Sequence, residues 1–248
     1  MRAVIMAGGK GMRLRPYTNV LPKPLIPLSK KQPILEIIIK QLCYHGFKRV
    51  TLTLNYGSDL IISYFGDGSR FGINIDYILE EESFGTAGSL SLFTDLKEPF
   101  LLMNADILTD LDYSEFYEQH IRSDAVATVM LYHHQMQIDF GIIQSDDNGL
   151  VTDYVEKPIT SHLISSGIYV FDPYIVNVIP KKRMDMPELI QKLLAEKKKV
   201  MSHIHLGEWI DIGTLPQFEK ADKIFTEKEE LFLKDANLGK LITKKVRV

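Results

Sequence analysis

Apolar runs and helical patterns alternate along the first half of the chain. Continuous apolar residues at 3–7 and 100–103 are typical of strands buried on both faces, and further strands are predicted at 50–54, 75–79 and 125–132. Helical spacing of apolar residues predicts helices at 60–65, 88–96 and 113–122, and a longer one that begins after Pro33 and stops at Gly46. This alternation predicts a three-layer α/β domain with a mostly parallel central sheet.

The pattern changes after residue 139. Ile142-Ile143 and 151–155 flank Asp146-Asp147-Asn148-Gly149, which predicts a hairpin because Asn-Gly tolerates positive φ. Another strand is predicted at 164–171, and helical patterns return at 187–199 and 216–233. Since no internal repeat or low-complexity linker interrupts the chain, we predict one compact unit over 1–248, whose second half forms a wall of the site.

Composition excludes several classes of protein. The 248 residues are 45% hydrophobic and 25% charged, which is typical of a soluble globular protein. A net charge of −3 disfavours a nucleic-acid-binding surface, and the single Cys43 excludes an intrachain disulfide or a multi-thiolate zinc site. The sequence shows neither a signal-peptide pattern nor an apolar run of membrane-spanning length, so a cytoplasmic protein without a membrane partner is expected.

Gly8-Gly9-Lys10-Gly11 comes directly after the first predicted strand. Glycines there let backbone N–H groups approach an anion closely. The segment is not a P-loop, because no Gly-Lys-Ser/Thr closes it, and Leu14 stands where a dinucleotide fingerprint needs its third glycine. A solvated surface turn is the simplest alternative, but it does not account for the positive charges within and after the loop: Lys10, Arg13, Arg15 and Lys23.

Residues 8–14, together with Pro22-Lys23-Pro24, resemble the signature of the sugar-1-phosphate nucleotidylyltransferases. The resemblance covers most of the chain and implies a Rossmann-like domain whose loop holds a nucleoside triphosphate. Arg13 is then expected to contact the phosphates, and Lys23 to neutralise charge at the reacting α-phosphate. The resemblance assigns nucleotide binding along the loop to Ala7, Gly8, Gly9, Gly11 and Met12, where Met12 replaces the threonine that is usual in the family.

Residues 81–88 resemble the family segment that lines the base and ribose. Glu81, Gly85, Thr86 and Gly88 are the expected nucleotide-binding residues, since the two glycines would let a flat base stack against backbone. The Gly-Thr-Ala-Gly form resembles guanylyltransferases more than uridylyl- or thymidylyltransferases, so GTP is expected, with UTP or TTP as the alternative. An ordinary glycine-rich helix start is the simpler interpretation.

Two aspartates are the expected metal ligands. Asp106 follows the strand 100–103, where a carboxylate faces the ligand crevice of a parallel sheet, and in the family this aspartate binds the catalytic metal. The resemblance assigns a second ligand to Asp211, within 209–214. Two hard oxygen ligands suit Mg²⁺, which takes further ligands from water and phosphate. Each aspartate taken alone is also explained as a cap or turn residue.

The sugar phosphate is expected on the second half of the chain. Phe140-Gly141 and Glu156-Lys157-Pro158 resemble the sugar-phosphate half of the family's pocket. Gly141 would offer backbone, Glu156 a carboxylate for sugar hydroxyls, and Lys157 a charge for the phosphate. Ser165 stands where the family often has asparagine.

The resemblance divides the chain into a nucleotide-binding core at 1–138, a sugar-phosphate-binding elaboration with the second metal carboxylate at 139–226, and a C-terminal helix and tail at 227–248. The implied reaction joins a nucleoside triphosphate to a sugar 1-phosphate and releases pyrophosphate, with Arg13, Lys23 and Asp106 catalytic. A nucleotide-sugar-dependent glycosyltransferase is disfavoured because Asn104-Ala105-Asp106 lacks a paired Asp-x-Asp. A non-catalytic nucleotide-sensing subunit stays open, as do the sugar and a homo-oligomeric state.

Overall fold

The structure, a computed structural model, describes residues 1–233; residues 234–248 of the predicted tail lie outside the described residues. The strands are β1 (Arg2–Met6), β2 (Pro27–Leu28), β3 (Gln32–Pro33), β4 (Arg49–Leu54), β5 (Asn74–Leu79), β6 (Phe100–Asn104), β7 (Ile107–Thr109), β8 (Ala127–Gln137), β9 (Ile142–Ser145), β10 (Val151–Val155), β11 (Ile159–Phe171), β12 (Val200–His205) and β13 (Trp209–Asp211). The α-helices are α1 (Ile34–Tyr44), α2 (Ser58–Phe65), α3 (Gly85–Gly88), α4 (Tyr113–Ser123), α5 (Tyr174–Val178), α6 (Met186–Ala195), α7 (Leu215–Glu227) and α8 (Glu229–Phe232). None of the helices within 1–233 is long and apolar enough to cross a membrane.

Seven strands form the central sheet, in the order β12-β8-β11-β6-β1-β4-β5. Strand β11 runs antiparallel to both of its neighbours, β6 and β8, whereas the other pairings in this sheet are parallel. The predicted mostly parallel α/β sheet is therefore confirmed. Because β11 and β12 belong to this sheet, the segments 1–138 and 139–226 share it; the functional division between them remains a prediction.

Helices cover both faces of this sheet. Along β1, Ala3 and Ile5 join one apolar core with residues of α1, α2, α4 and α7, while Val4 joins a second core with residues of α3, α5 and α6. Successive strand residues point to opposite faces. Strand β1 therefore lies between two helical layers, which confirms the predicted three-layer arrangement.

The carboxyl ends of β1, β4 and β6 meet at one edge of the sheet. These strands are adjacent and parallel, so the segments that follow them are neighbours in space. The glycine loop follows β1, Asn55 follows β4, and Asp106 comes shortly after β6. Open α/β sheets bind ligands in the crevice outside these carboxyl ends, and the strand order thus brings loop and acid together.

Two predicted helices are interrupted in the structure, and the helix predicted at 187–199 ends early, at Ala195. In place of the helix predicted at 88–96, the structure has α3, which ends at Gly88, and a 3₁₀ turn, Ser89–Leu92. The Ser91 hydroxyl donates to the Gly88 carbonyl at 2.7 Å, which is the acceptor that a continuing helix would use. The helix predicted at 216–233 is divided at Lys228 into α7 and α8. This division lets Phe232 pack against Phe225, with the ring centroids 5.9 Å apart.

His120, in α4, should make the stability of the fold depend on pH. It is buried, with Nδ1 2.8 Å from Thr128 Oγ1, and burial lowers the pKa of His120. The unfolded chain therefore binds this proton more readily, so the free energy of unfolding falls as the pH drops below about 6.5. His120→Gln cannot titrate but retains hydrogen-bonding capacity, so we expect a shallower pH dependence in urea unfolding measured between about pH 5 and pH 7.

The matched control is His134→Gln, which alters an exposed histidine on β8. Its urea-unfolding free energies should follow the wild-type pH profile. A wild-type slope in His120→Gln would contradict the assignment of this pH dependence to the buried imidazole.

Candidate active site

Gly11 shapes the loop that follows β1. It has φ +61°, in the left-handed region, and it precedes the 3₁₀ turn Met12–Leu14. Its carbonyl accepts a hydrogen bond from Thr18 Oγ1 at 2.9 Å. A Cβ here would lie 2.9 Å from Thr18 Cγ2 and 3.0 Å from Lys23 Cβ, so only glycine lets the loop lie this close to Lys23.

At Gly8 the loop also lies close to the end of β4. A Cβ at Gly8 would lie 3.1 Å from the backbone nitrogen of Asn55, at the end of β4. The Asn55 side chain in turn donates to the Glu80 carbonyl at 2.8 Å, which links the glycine loop to the start of the segment 80–88. Sequence reasoning missed Asn55; its signal was a polar residue directly after a buried strand, at the edge where ligands bind.

Lys23 and Asp106 form an ion pair beside this loop. Lys23 Nζ contacts Asp106 Oδ2, and the side chains are only 11% and 22% exposed. The other carboxylate oxygen, Asp106 Oδ1, is buried and has no hydrogen-bond partner within the described part of the chain. An open cavity of about 460 Å³ adjoins the pair, and its lining residues are Met6, Ala7, Gly9, Lys10, Gly11, Met12, Arg13, Lys23, Pro24, Ala105, Asp106 and Gly213.

Asp211 is brought close to Asp106 by a two-stranded ladder that is separate from the central sheet. Strands β7 and β13 pair antiparallel, with Asp211 opposite Ile107, and the Ile212 amide donates to the Asp106 carbonyl at 2.9 Å. Sequence patterns predicted neither strand. Pairing of these two short segments therefore brings the two expected metal ligands together.

Charges from four residues converge at this end of the ladder. Burial and the negative charge of Asp106 raise the pKa of Asp211, while the cationic Lys23 and Arg13 act in the opposite direction. Arg13 lies close to Asp211, since a Cβ at Gly213 would be 3.2 Å from Arg13 Nη2 and 3.3 Å from Asp211 Oδ2. The structure thus gathers Arg13, Lys23, Asp106 and Asp211 at one place.

The two acids fit a divalent cation. Asp106 Oδ1 is a buried acceptor without a partner inside the described range, and the repulsion felt by Asp211 is what a shared cation relieves. Residues 1–233 hold no cluster of three or more His, Cys, Asp or Glu side chains suited to a metal. Two protein carboxylates supplemented by water and phosphate oxygens are the arrangement that Mg²⁺ favours.

Gly85 and Gly88 pack closely against another segment of the chain. Their missing side chains make room for the segment 182–185: a Cβ at Gly85 would lie 2.6 Å from the Met184 carbonyl oxygen, and one at Gly88 would lie 2.7 Å from that of Lys182. Thr86 is held by the same segment, since its amide donates to Asp185 Oδ1 at 3.1 Å. Glu81 and Thr86 are exposed, and the nucleotide-binding role expected of these four residues stays a prediction.

The expected sugar-phosphate residues lie on β11 or in the loops beside β9 and β10. Tyr154 Oη donates to Glu156 Oε2 at 2.6 Å, and a Cβ at Gly141 would collide with the same hydroxyl, so this tyrosine joins the two expected residues. Lys157 is exposed, and Ser165 Oγ lies 2.7 Å from Tyr169 Oη. Among residues 1–233, none of the four expected sugar-phosphate residues lines the cavity beside Lys23.

Sequence comparison assigns the class. The family described as nucleotidyl transferase matches residues 2–228, so the chain belongs to this family. The resemblance to sugar-1-phosphate nucleotidylyltransferases is confirmed as a family assignment, because similar proteins carry such names.

Two relatives show the range of those names. The chain is 31% identical to the UTP–glucose-1-phosphate uridylyltransferase of Synechocystis sp., over 89% of this chain and 62% of that protein. It is 32% identical to the catalytic subunit beta of mannose-1-phosphate guanylyltransferase from Dictyostelium discoideum, over 88% of this chain and 62% of that protein. The chain therefore spans less than two thirds of the length of these curated relatives.

A solved structure shares the fold. HddC from Yersinia pseudotuberculosis, complexed with GMP-PN, superposes with a TM-score of 0.69 at 25% identity, over 90% of this chain and 99% of that one. This similarity agrees with the α/β architecture and extends through nearly the whole of that protein.

Alanine substitutions at two glycines of the loop test the described loop conformation, because one position is sterically restricted and the other is open. Gly11→Ala places a side chain at φ +61° against Thr18 and Lys23, so we expect the free energy of unfolding to fall by about 1–2 kcal/mol or more. The matched control is Gly9→Ala, whose Cβ would meet nothing within 4 Å, and we expect a change within about 0.5 kcal/mol. Urea unfolding measures both; equal losses would contradict the described loop conformation.

Proposed function

We propose that this protein transfers a nucleoside monophosphate from a nucleoside triphosphate to a sugar 1-phosphate, yielding a nucleotide-diphospho-sugar and pyrophosphate. The observation that carries the proposal is the convergence of Arg13, Lys23, Asp106 and Asp211 beside a glycine loop that opens onto a cavity. Membership of the nucleotidyl transferase family supports the same reaction. The single cysteine agrees with a cytoplasmic enzyme.

The difficulty of this reaction is electrostatic. The attacking sugar phosphate already carries negative charge at neutral pH, so it needs no general base, but it must approach a second polyanion. Lys23 and Arg13 would hold the phosphates in line and stabilise charge as it moves to the departing pyrophosphate. Backbone amides of the loop add neutral donors that approach without steric obstruction.

Asp106 and Asp211 are the proposed ligands of Mg²⁺, which when bound would neutralise phosphate charge between the two substrates. The ion pair with Asp106 keeps the ammonium of Lys23 at the point where the phosphates enter. Arg13 is more exposed than Lys23 and lies near Asp211, where it would also reach a phosphate.

We propose GTP as the nucleotide. Support comes from the Gly-Thr-Ala-Gly segment, from relatives named mannose-1-phosphate guanylyltransferase, and from the similar HddC structure complexed with GMP-PN. A uridylyltransferase among the relatives makes UTP the competing candidate. The proposed sugar-phosphate residues lie on or beside β9, β10 and β11: Gly141, Glu156, Lys157 and Ser165.

Loss of either member of the ion pair should abolish most turnover while the protein stays folded. Lys23→Ala and Asp106→Asn each remove one charge from the cavity, and we expect pyrophosphate release to fall about 100- to 1000-fold. Lys40→Ala, which removes a charge paired with Glu36 on the surface of α1, is the control and should retain wild-type rates. Circular dichroism checks folding, and normal turnover by both site variants would remove this mechanism.

A matrix of triphosphates against sugar 1-phosphates tests the function itself. We expect pyrophosphate with GTP, more slowly with UTP or dTTP, and none in excess EDTA until Mg²⁺ is restored. Hydrolysis or transfer from a nucleotide-sugar without pyrophosphate formation would favour a glycosyltransferase. Nucleotide binding without any product would favour a sensing subunit, and full activity in EDTA would exclude the two-aspartate metal site.

A further inference from the structure

A carboxylate and an imidazole meet at the far end of the ladder that carries the two site acids. Asp110 follows β7, and His205 ends β12. His205 Nε2 lies 2.9 Å from Asp110 Oδ1, and the side chains are only 10% and 17% exposed. Neither residue lines the cavity.

The same carboxylate holds the backbone that leads into β13. The Glu208 amide donates to Asp110 Oδ1 at 2.8 Å, and the Asp110 amide donates to the Glu208 carbonyl at 3.3 Å. His205 Nε2 is also 3.3 Å from that carbonyl. Since this nitrogen faces two acceptors, it carries the proton and donates.

The chain between β12 and β13 is fitted closely to Asp110. A Cβ at Gly207 would collide with the Asp110 carboxylate, so this position admits only glycine in the observed arrangement. Imidazole, carboxylate and turn are therefore packed as one unit.

The ladder itself is short. It contains three residue pairs, Trp209 with Thr109, Ile210 with Leu108 and Asp211 with Ile107. An isolated two-stranded ladder is only marginally stable, and a slip by one residue would turn Asp211 to the opposite face. The like charges of Asp106 and Asp211 also oppose the approach that this register imposes.

We propose that Asp110 and His205 form a positioning pair that fixes the register of β13 against β7 and so holds Asp211 beside Asp106 for cation binding. The proposal rests on the proposed function in taking those two acids as the cation ligands. The pair touches neither substrate nor cation; it acts through the backbone of Glu208 and the ladder.

Cation binding by the full chain tests this pair without turnover. Mn²⁺ is titrated in the presence of pyrophosphate, the group common to all triphosphates, and its binding to protein is followed by water-proton relaxation. We expect His205→Ala and Asp110→Ala to weaken Mn²⁺ binding about tenfold or more. His205→Gln, which retains an N–H donor, should bind Mn²⁺ more tightly than His205→Ala. Asp211→Asn should also weaken Mn²⁺ binding, which shows that the measured binding depends on Asp211.

The matched control is His203→Ala, which removes an imidazole two positions earlier on β12. His203 is bonded through Nδ1 to Gln119 Oε1 at 2.6 Å and packs against Phe116, both on α4, and it also interacts electrostatically with His205. Its loss should therefore affect stability without removing a hydrogen bond that holds the ladder. Thermal unfolding is measured for every variant. We expect His203→Ala to bind Mn²⁺ as the wild type does.

The proposal is overturned if His205→Ala and Asp110→Ala bind Mn²⁺ normally, if His203→Ala weakens binding equally, or if the wild type shows no Asp211-dependent binding. Pyrophosphate release from triphosphates is assayed separately on the wild type. Weakened Mn²⁺ binding in the two variants, with no turnover by the wild type, would support the positioning pair while refuting the proposed function.

Discussion

The pairing of β7 with β13 is the constraint on which the site depends. It joins segments that lie far apart in the chain, and it sets two carboxylates side by side despite their mutual repulsion. Cations nearby reduce that repulsion: Lys23 contacts one oxygen of Asp106, and Arg13 lies near Asp211. Attraction to the two cations therefore offsets the repulsion between the two carboxylates, and the paired backbone of β7 and β13 holds these side chains together.

The central sheet supplies the other half of the site. Parallel pairing of β1 with β4 and β6 places the glycine loop, Asn55 and Asp106 at a common edge. The loop can lie against its neighbours only because Gly8 and Gly11 lack side chains. This close packing keeps the glycine loop beside Lys23, where the positive side chains gather.

The segment 85–88 shows that small residues can be required by packing within the chain. Small residues indicated a close approach, and the segment 182–185 occupies the space that their missing side chains leave. Short sequence patterns reveal that space is needed; they do not identify which part of the molecule fills it. The same limit applied to 88–96, where a serine side chain takes a carbonyl that a continuing helix would use.

By itself, the sequence determined the alternating α/β order, the mostly parallel sheet and the cationic glycine loop, because buried strands and tight loops have strong local signatures. Tertiary structure alone decided the pairing of β7 with β13, the meeting of Lys23 with Asp106, and the contact of His205 with Asp110. These contacts join residues that are distant in the chain, and β7 and β13 are too short to show a period. Their formation depends on how the whole chain packs, which no local pattern encodes.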